Sequence, residues 1–337
     1  MPDPAERPYA AVRLPEGRRL QGVLLFGEVL MDCLPDREVP GGAPFNVAQH
    51  LHGLGRGAGI APVLVTRIGK DARGQRLLEA MLAAGLPLDG VQQDCLHPSG
   101  AAQVDPGSAG HGPQFEIPPD QAWDFIHAGL SRLVGLSVKP QWLYFGTLAQ
   151  RAVARRVTRP AAHPALRGLF QATRAGGFLD LNLRDPWVRK DVLRWSLDEA
   201  DVVKMNAEEL QRVTHMMGLG RASQEVLGKR LLHAFGIRLL LVTEGSEGAW
   251  LQLDDGTYYH TEPAPSLDGL VDSVGAGDAF AAVCLLGLML DWPAQQTLAR
   301  AHRFAGAICG LRGAVPRAAD FYRPFVADWR LAGTEAS

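Results

Sequence analysis

The sequence predicts an α/β protein with a central, mainly parallel sheet covered by helices, and a small β lid beside it. Short runs rich in β-branched, aromatic and other apolar residues have the length of buried strands. These runs are residues 22–26, 63–68, 142–145, 178–183, 201–205 and 239–243. Helical patterns lie between several of them, and this alternation is typical of a parallel sheet with helices on its faces.

Three apolar patterns predict helices. The first runs over residues 77–82 and is followed by Gly85, and the second runs over residues 226–235 and is followed by Gly236. Glycine readily adopts the left-handed conformation at which many helices end. The third pattern, residues 279–290, is shorter than the roughly 20 residues that span a bilayer, and we therefore expect a buried helix there.

Two segments, residues 33–42 and 99–119, interrupt this alternation. They carry proline, glycine and alternating apolar residues without helical periodicity. We assign them to the lid, inserted in a single domain that spans residues 1–337. The stretch PGSAGHGP at residues 106–113 is rich in turn-forming residues and predicts a mobile loop within the lid.

Composition and charge restrict the function. Of the 337 residues, 47% are apolar, and 34 basic against 36 acidic side chains give a net charge of −2. Such a chain can bury a sizeable core, which excludes disorder throughout. Its near-zero charge gives no long-range attraction to nucleic acid or to anionic lipid, so we expect a small-molecule ligand and neither nucleic acid nor a membrane as partner. Residues 1–19 lack the apolar core of a signal peptide, which predicts a cytoplasmic location.

The histidines give no signal for a metal site. His50 and His52 flank a single leucine, a spacing that directs them apart on a helix, and no third ligand is evident nearby. We therefore interpret both as packing residues.

The most informative stretch is DSVGAGDAF, residues 272–280, which leads into the third helical pattern. Its glycines allow a ligand close to the backbone, and the first amides of a helix lack internal partners, so this turn suits an anion. A resting phosphate would repel Asp278, whereas the hydroxyl group of an acceptor would not, and this combination indicates phosphoryl transfer. The stretch is neither a Walker A loop nor a GxGxxG fingerprint. The alternative is a tight turn in which the helix dipole favours an aspartate.

DSVGAGDAF resembles the carboxy-terminal signature of the ribokinase-like, or PfkB, carbohydrate kinases, and GGAPFNVA at residues 41–48 resembles their amino-terminal signature. Further blocks similar to those of the family follow in the same order, at residues 180–184, 204–209, 243–248 and 313–316. The pattern GEVLMD at residues 27–32 and the GGAPFN stretch are most similar to bacterial fructokinases. The resemblance implies a ribokinase-like three-layer sandwich with a small β lid.

The resemblance also implies an activity: an ATP-dependent kinase that phosphorylates a primary hydroxyl of a free sugar, with fructose and its 6-hydroxyl as the first candidate. The alternatives within the family are 2-keto-3-deoxygluconate, ribose and nucleosides. A non-catalytic sensor of nucleotide or sugar is a further alternative, whereas a nicotinamide-dependent dehydrogenase would fit the alternation of elements but not the loops. The implied cofactors are ATP and Mg²⁺, with K⁺ as a candidate activator, and relatives suggest a homodimer paired through lid strands.

By the same resemblance, Asp278 is the catalytic base, and the amides of Gly275, Ala276 and Gly277 hold the γ-phosphate. The residues implied in binding the sugar are Asp32, Gly41, Gly42, Asn46, Asp180, Asn182 and Arg184. For the first four of these, a turn between lid strands is the alternative. For Arg184, the alternative is a surface salt bridge with Asp185.

Asn206 and Glu209 form the N-x-x-E element that, by resemblance, organises Mg²⁺ and its waters near ATP. The same spacing is that of a helix capping box, so both interpretations stay open. The other residues implied are Thr243, Gly245 and Gly248 for the nucleotide phosphates, Ala305 and Cys309 for adenine, and Asp272 and Val274 for a monovalent cation. Because an apolar helix face is more often core than cofactor pocket, packing is the alternative for Ala305 and Cys309.

Overall fold

A computed structural model describes residues 20–105, 114–151, 163–263 and 272–331. The predicted mobile loop at residues 106–113 and the amino-terminal residues 1–19 lie outside this described part. In chain order the strands are β1 (Gln21–Phe26), β2 (Leu30–Cys33), β3 (Glu38–Gly41), β4 (Ile60–Gly69), β5 (Val91–Asp94), β6 (Gly100–Asp105), β7 (Gln114–Glu116), β8 (Trp142–Phe145), β9 (Gly176–Asp180), β10 (Val202–Asn206), β11 (Leu239–Thr243), β12 (Ala249–Leu253) and β13 (Tyr258–His260). The helices are α1 (Ala43–Gly55), α2 (Ala72–Ala83), α3 (Ala128–Val138), α4 (Pro164–Ala172), α5 (Lys190–Asp198), α6 (Ala207–Met217), α7 (Gln224–Phe235), α8 (Ala276–Met289), α9 (Ala294–Cys309) and α10 (Arg323–Asp328).

The main sheet has the strand order β13-β12-β11-β10-β9-β8-β1-β4-β5. The neighbours from β5 to β11 are parallel, and only β12 runs against its neighbours within the described sheet. In the centre, Leu24 of β1 lies opposite Val63 of β4 and Leu143 of β8. The mainly parallel sheet predicted from the sequence is confirmed, and each of the six predicted strands corresponds to a strand of this sheet.

Strand β1 shows why the sheet is covered on both faces. Val23, Leu24, Leu25 and Phe26 have no exposed surface. Alternate side chains of a strand point to opposite faces. Accordingly, Val23 and Leu25 pack in a cluster with residues of α1, α8 and α9, while Leu24 and Phe26 pack with residues of α4 to α7. Full burial of one such side chain contributes roughly 1.5–3 kcal/mol, so both helical layers stabilise the sheet.

Glycines and asparagine set several element boundaries. Gly85 and Gly236 have φ angles of +73° and +67° after α2 and α7, as their positions in the sequence predict. The predicted strand over residues 178–183 ends earlier, at Asp180, because Asn182 has a left-handed φ of +42° that a strand cannot contain. Helix α8 is buried over most of its length, and no helix among the described residues has the length and apolarity that a membrane crossing requires.

A separate four-stranded sheet has the order β3-β2-β6-β7. Strands β3, β6 and β7 lie within the two segments in which the sequence predicts lid strands, whereas β2 shares only Cys33 with them. Strand β2 begins at Leu30, before the predicted segment, because it pairs in parallel with β6 from that residue onward. This small sheet lies beside the edge of the main sheet where β1 ends, since β2 follows β1 after three residues. The carboxyl ends of the parallel strands therefore converge beside it.

Candidate active site

The turn before α8 requires glycine. Gly275 has a φ of +82°, and a Cβ atom built on it would lie 2.4 Å from Cα of Ala314. Helix α8 begins at the next residue, Ala276, whose amide donates to the carbonyl oxygen of Ser273 at 3.3 Å. Asp278 lies in the first turn, where the helix dipole is positive. This turn therefore combines a carboxylate with a helix terminus suited to an anion.

Asp278 is held by a side chain from the other end of the chain. Nδ2 of Asn46, on α1, donates a 2.8 Å hydrogen bond to Oδ2 of Asp278. Oδ1 of Asn46 is buried and finds no donor among the described residues, so it is free to accept one from a ligand. Burial first, and the charge of Asp180 second, raise the pKa of Asp278 to about 6, while Asn46, Lys204 and Arg184 act in the opposite direction.

The predicted sugar-binding residues of the small sheet face this carboxylate. A Cβ atom on Gly41 would approach Oδ2 of Asp32 to 2.3 Å, and one on Gly42, whose φ is +108°, would lie 2.6 Å from the carbonyl oxygen of Glu28. Gly41 thus leaves room for the carboxyl group of Asp32, and Gly42 leaves room for the backbone at Glu28. Burial and the charge of Asp278 raise the pKa of Asp32 to about 6. The structure therefore brings Asp32, Asn46 and Asp278 together, as the sequence predicts.

One helical turn after Asn46, His50 connects α1 to the loop behind Gly275. Its ring is buried, with Nε2 at 3.1 Å from the carbonyl oxygen of Ala314 and Nδ1 at 3.1 Å from the hydroxyl group of Tyr322. Burial lowers the pKa of His50 to about 4, so the ring is neutral and Nε2 donates to the carbonyl. The spacing of His50 and His52 in the sequence indicates packing and does not predict this contact.

The carboxylate of Asp180 is hydrogen-bonded to two side chains of the protein. It is buried, and it accepts hydrogen bonds from Nζ of Lys204 at 3.0 Å and from the hydroxyl group of Tyr144 at 3.1 Å. Lys204 and Asp180 are register partners on β10 and β9. Neither Lys204 nor Tyr144 is among the site residues predicted from the sequence. The sequence does indicate that Lys204 forms an ion pair, because a lysine inside an otherwise apolar strand needs a charged partner.

Arg184 is half-buried near the carboxyl groups of the site. Its guanidinium group lies 5.5 Å from the ring centre of Phe115 and donates to the carbonyl oxygen of Leu183 at 3.1 Å. Its charge lowers the pKa of Asp278. The alternative salt bridge with Asp185 is not formed, because Asp185 pairs with Arg212 at 2.7 Å.

Glu28 is a site residue that the sequence analysis includes in a motif without giving it a role. It is buried between β1 and β2, and burial raises its pKa to about 7. It lines a cavity of about 10 Å³ together with Tyr144, Asp180 and Asn182. That volume holds roughly one water molecule. The cavity places Glu28 beside the predicted sugar-binding residues.

Asn206 and Glu209 form a capping box at the start of α6. Oδ1 of Asn206 accepts from the amide of Glu209 at 2.8 Å, and Oε2 of Glu209 accepts from the amide of Asn206 at 2.9 Å. Oε1 of Glu209 also accepts from the amide of Leu183 at 2.7 Å. Each carboxylate oxygen keeps a second lone pair, so the same residues can still bind a magnesium-bound water. The capping interpretation is confirmed, and the Mg²⁺ role stays a prediction.

The residues predicted to contact nucleotide phosphates lie at the end of the neighbouring strand. Thr243 ends β11 and is the register partner of Asn206. Gly245 has a φ of +62° with open space at its Cβ position, whereas a Cβ atom on Gly248, whose φ is +113°, would meet Oγ1 of Thr261 at 2.7 Å. Gly245 therefore leaves the backbone accessible, and Gly248 serves the turn into β12.

The residues predicted for the cation and for adenine are adjacent. Oδ1 of Asp272 accepts from the amide of Val274 at 3.0 Å and Oδ2 accepts from the amide of Gly313 at 3.2 Å. The amide of Asp272 donates to the carbonyl oxygen of Cys309, which is half-buried on α9, as is Ala305. Within the described residues, no cluster of three or more His, Cys, Asp or Glu side chains is placed to hold a metal ion.

A larger groove, of about 530 Å³, lies at the opposite edge of the sheet. Its lining includes Gln21, Trp142, Arg174 and Arg238, at the starts of the parallel strands. None of the predicted site residues lines it. In open α/β sheets ligands bind at the carboxyl ends of the strands, so we assign the active site to the residues around Asp278 and not to this groove.

Residues 21–319 match the family described as pfkB family carbohydrate kinase. The chain is 29% identical over 287 residues to the fructokinase of Escherichia coli and 30% identical over 283 residues to the fructokinase of Klebsiella pneumoniae. Each alignment covers 79% of this chain and 84% of the relative.

Two solved structures have the same fold. The fructokinase of Xylella fastidiosa with bound ATP superposes with a TM-score of 0.72 and 22% identity, over 93% of this chain and 100% of the other. A fructokinase double mutant of Vibrio cholerae O395, in its fructose, ADP and potassium ion bound form, superposes with a TM-score of 0.68 and 25% identity, over 90% of this chain and 98% of the other. With the two signature segments meeting at Asn46 and Asp278 and the family match covering most of the chain, this protein belongs to the PfkB family of carbohydrate kinases.

Proposed function

We propose that this sugar kinase is an ATP-dependent fructokinase that transfers the γ-phosphate of ATP to the 6-hydroxyl of fructose. The observation that supports the proposal best is the joining of Asp278 to Asn46 at the start of α8, beside Asp32. A base, an amide with a free oxygen and a second carboxylate suit an alcohol with several hydroxyl groups. The fructokinase relatives support fructose over 2-keto-3-deoxygluconate, ribose and nucleosides.

In this proposal, Asp278 accepts the proton of the attacking hydroxyl group. Asn46 fixes the orientation of that carboxylate, and its free Oδ1 accepts a hydrogen bond from the sugar. Asp32, Gly41 and Gly42 form the adjoining wall of the sugar site, with Asn182 and Arg184 on the other side. Because phosphoryl transfer has a loose transition state, positioning and charge stabilisation supply most of the acceleration.

The helix terminus would stabilise the transferred phosphate. Gly275 precedes α8, Ala276 and Gly277 begin its first turn, and the aligned peptide dipoles favour negative charge there. Mg²⁺, when bound, neutralises phosphate charge, and Asn206 and Glu209 would hold its waters.

The nucleotide would lie along the ends of β10 and β11, against Thr243 and Gly245, with Gly248 shaping the turn and with Ala305 and Cys309 toward the adenine. Asp272 and Val274 would hold K⁺. ATP and K⁺ are also the ligands of the Xylella and Vibrio structures, respectively, which supports the same ligands here.

We also propose that the protein acts in the cytoplasm as a homodimer. The small sheet has two edge strands, β3 and β7, whose outer sides are unpaired within the described residues. Edge strands of two copies can pair. Sedimentation of the purified chain would test this assembly.

The test of the main proposal is ADP release coupled to a reporter reaction, with a panel of fructose, 2-keto-3-deoxygluconate, ribose and nucleosides. We expect the highest kcat/KM with fructose. A higher kcat/KM with another acceptor would reassign the substrate, and no turnover with any of them would reject the kinase assignment. Isothermal titration identifies the sensor alternative, which would bind nucleotide or sugar without releasing ADP.

A further inference from the structure

A buried cation lies directly beneath the first turn of α8. Strand β10 is apolar at Val202, Val203 and Met205, and Lys204 between them is only 7% exposed. Removing an ammonium group from water is unfavourable unless the charge is paired. Lys204 meets this requirement through Asp180, whose Oδ1 and Oδ2 lie 3.0 Å and 3.3 Å from Nζ.

Gly277 leaves room for this ammonium group. A Cβ atom built on Gly277 would be 3.0 Å from Nζ of Lys204. The ammonium group therefore contacts the first turn of α8 from the side of the sheet. This is the turn that carries Asp278 and that the proposed function assigns to the transferred phosphate.

The charges around Lys204 come from three further elements. Burial alone would lower the pKa of Lys204, but Asp180 on β9, Glu209 on α6 and Asp278 on α8 outweigh it and raise that pKa. Lys204 therefore stays positively charged, and it in turn lowers the pKa of Asp278. Tyr144 completes the arrangement, because its hydroxyl group donates to Oδ2 of Asp180 and so holds the partner of Lys204 in place.

We propose that Lys204 is a positioning residue for phosphoryl transfer, held by Asp180 and Tyr144 so that its charge lies beneath the turn where negative charge gathers. The inference rests on the proposed function, since it concerns the same transfer step. Asp278 and the transferred phosphate both carry negative charge, and they approach each other through the attacking hydroxyl group. A fixed cation within the protein offsets this charge at no cost of reorganisation.

A merely structural ion pair would behave differently. If the pair only filled the interior, replacing both charges with neutral groups of similar volume would leave kcat unchanged, because such replacements are often neutral for stability. If Lys204 supplies charge to the turn, kcat falls while the folded state and the KM values change little. The separation of kcat from KM therefore distinguishes the two roles.

The experiment compares Lys204→Gln with Lys229→Gln. Glutamine removes the charge of Lys204 but can still donate to Asp180. Lys229 is a half-exposed lysine on α7 that pairs with Glu225 at 2.7 Å, so Lys229→Gln controls for the loss of one positive charge. We expect Lys204→Gln to lower kcat by about 100-fold with KM values for ATP and sugar within about threefold, and Lys229→Gln to match the wild type.

A second pair of variants tests the inference if the first variant does not fold. Should Lys204→Gln fail to fold, the double variant Asp180→Asn with Lys204→Met removes both charges, and it is compared with Asp180→Asn alone, which keeps the ammonium group. We expect the double variant to turn over about 100-fold more slowly than Asp180→Asn, although its Tm is the higher of the two because it buries no unpaired charge.

The proposal for Lys204 and the proposed function can be contradicted separately. Folded variants that lack the charge of Lys204 and keep kcat within about threefold of their reference overturn this inference alone. A wild-type protein that phosphorylates no acceptor overturns the proposed function instead.

Discussion

Asn46 and Asp278 lie 232 residues apart in the chain and are joined by a hydrogen bond of 2.8 Å. The bond connects α1, which follows β3, to α8, which begins at the turn that we propose binds the phosphate. It orients one carboxylate oxygen of Asp278 and leaves the other free for a substrate. The two signature segments of the family thus form a single site because these two side chains meet.

Replacing Asn46 with aspartate should change the pH dependence of the reaction. A second carboxylate at this distance raises the pKa of Asp278, because two like charges disfavour ionisation. We expect the acidic limb of the kcat profile to move to higher pH and the KM for sugar to rise. Gln75→Asp, at an exposed position of α2, is the control, since it adds the same charge at the surface. An unshifted profile for Asn46→Asp would contradict the contact.

The kcat of the wild-type protein should itself decrease as the pH is lowered. Asp278 must be deprotonated to accept the proton of the sugar hydroxyl, and its pKa is raised to about 6. Lowering the pH through this value protonates the carboxylate, so kcat decreases below it and is constant above it. The measurement is kcat at saturating substrates between about pH 5 and pH 8. A profile that stays level down to about pH 5 would argue against Asp278 as the base.

Asp278→Asn should separate chemistry from binding. Asparagine keeps the size of the side chain but cannot accept the proton, so we expect kcat to fall by about 10²- to 10⁴-fold. ATP affinity, measured by isothermal titration, should stay within about threefold of the wild-type value or improve, since a negative charge near the phosphates is removed. A large loss of ATP affinity would instead indicate that Asp278 belongs to the nucleotide site.

Gly275→Ala should damage the site through backbone strain. The φ of +82° and the 2.4 Å approach to Ala314 leave no room for a methyl group. We expect a loss of stability of about 1–3 kcal/mol and a lower kcat, measured by urea unfolding and the coupled assay. Gly306→Ala on α9 is the matched control, because open space surrounds its Cβ position, and it should be neutral or stabilising by about 0.5–1 kcal/mol. Equal behaviour of the two variants would be inconsistent with the strained turn.

Glu209→Gln tests both roles of the N-x-x-E element. Glutamine has one acceptor oxygen, whereas both oxygens of Glu209 accept backbone amides, so we expect a loss of about 1–2 kcal/mol of unfolding free energy. If Glu209 also organises Mg²⁺, the Mg²⁺ concentration for half-maximal rate rises several-fold. Glu208→Gln, exposed in the same helical turn, should change neither quantity. An unchanged Mg²⁺ requirement with reduced stability would leave only the capping role.

The local features of the fold could be predicted from the sequence. The apolar runs locate six strands of the main sheet, and Gly85 and Gly236 end their helices with positive φ angles. The turn at Gly275 is likewise evident from its motif. These features depend on residues close together in the chain.

The contacts that the sequence analysis misses depend on register and on distant partners. Lys204 meets Asp180 only because β10 and β9 pair with these two residues opposite each other, and a single sequence does not specify this alignment. Asp185 pairs with Arg212 across the fold rather than with its neighbour Arg184. Glu28 acquires its altered pKa from burial between two sheets, which depends on how those sheets pack.

Helix α1 contacts both parts of the proposed active site. Asn46 contacts Asp278, the proposed proton acceptor, and His50 one turn later contacts the loop packed against Gly275, beside the proposed phosphate site. Because a helix is stiff over a single turn, these two anchors keep a constant spacing. A movement of α1 against the sheet would therefore displace the proposed sugar-binding and phosphate-binding groups together. Their relative alignment would be kept, whereas two sites on independent loops could move apart.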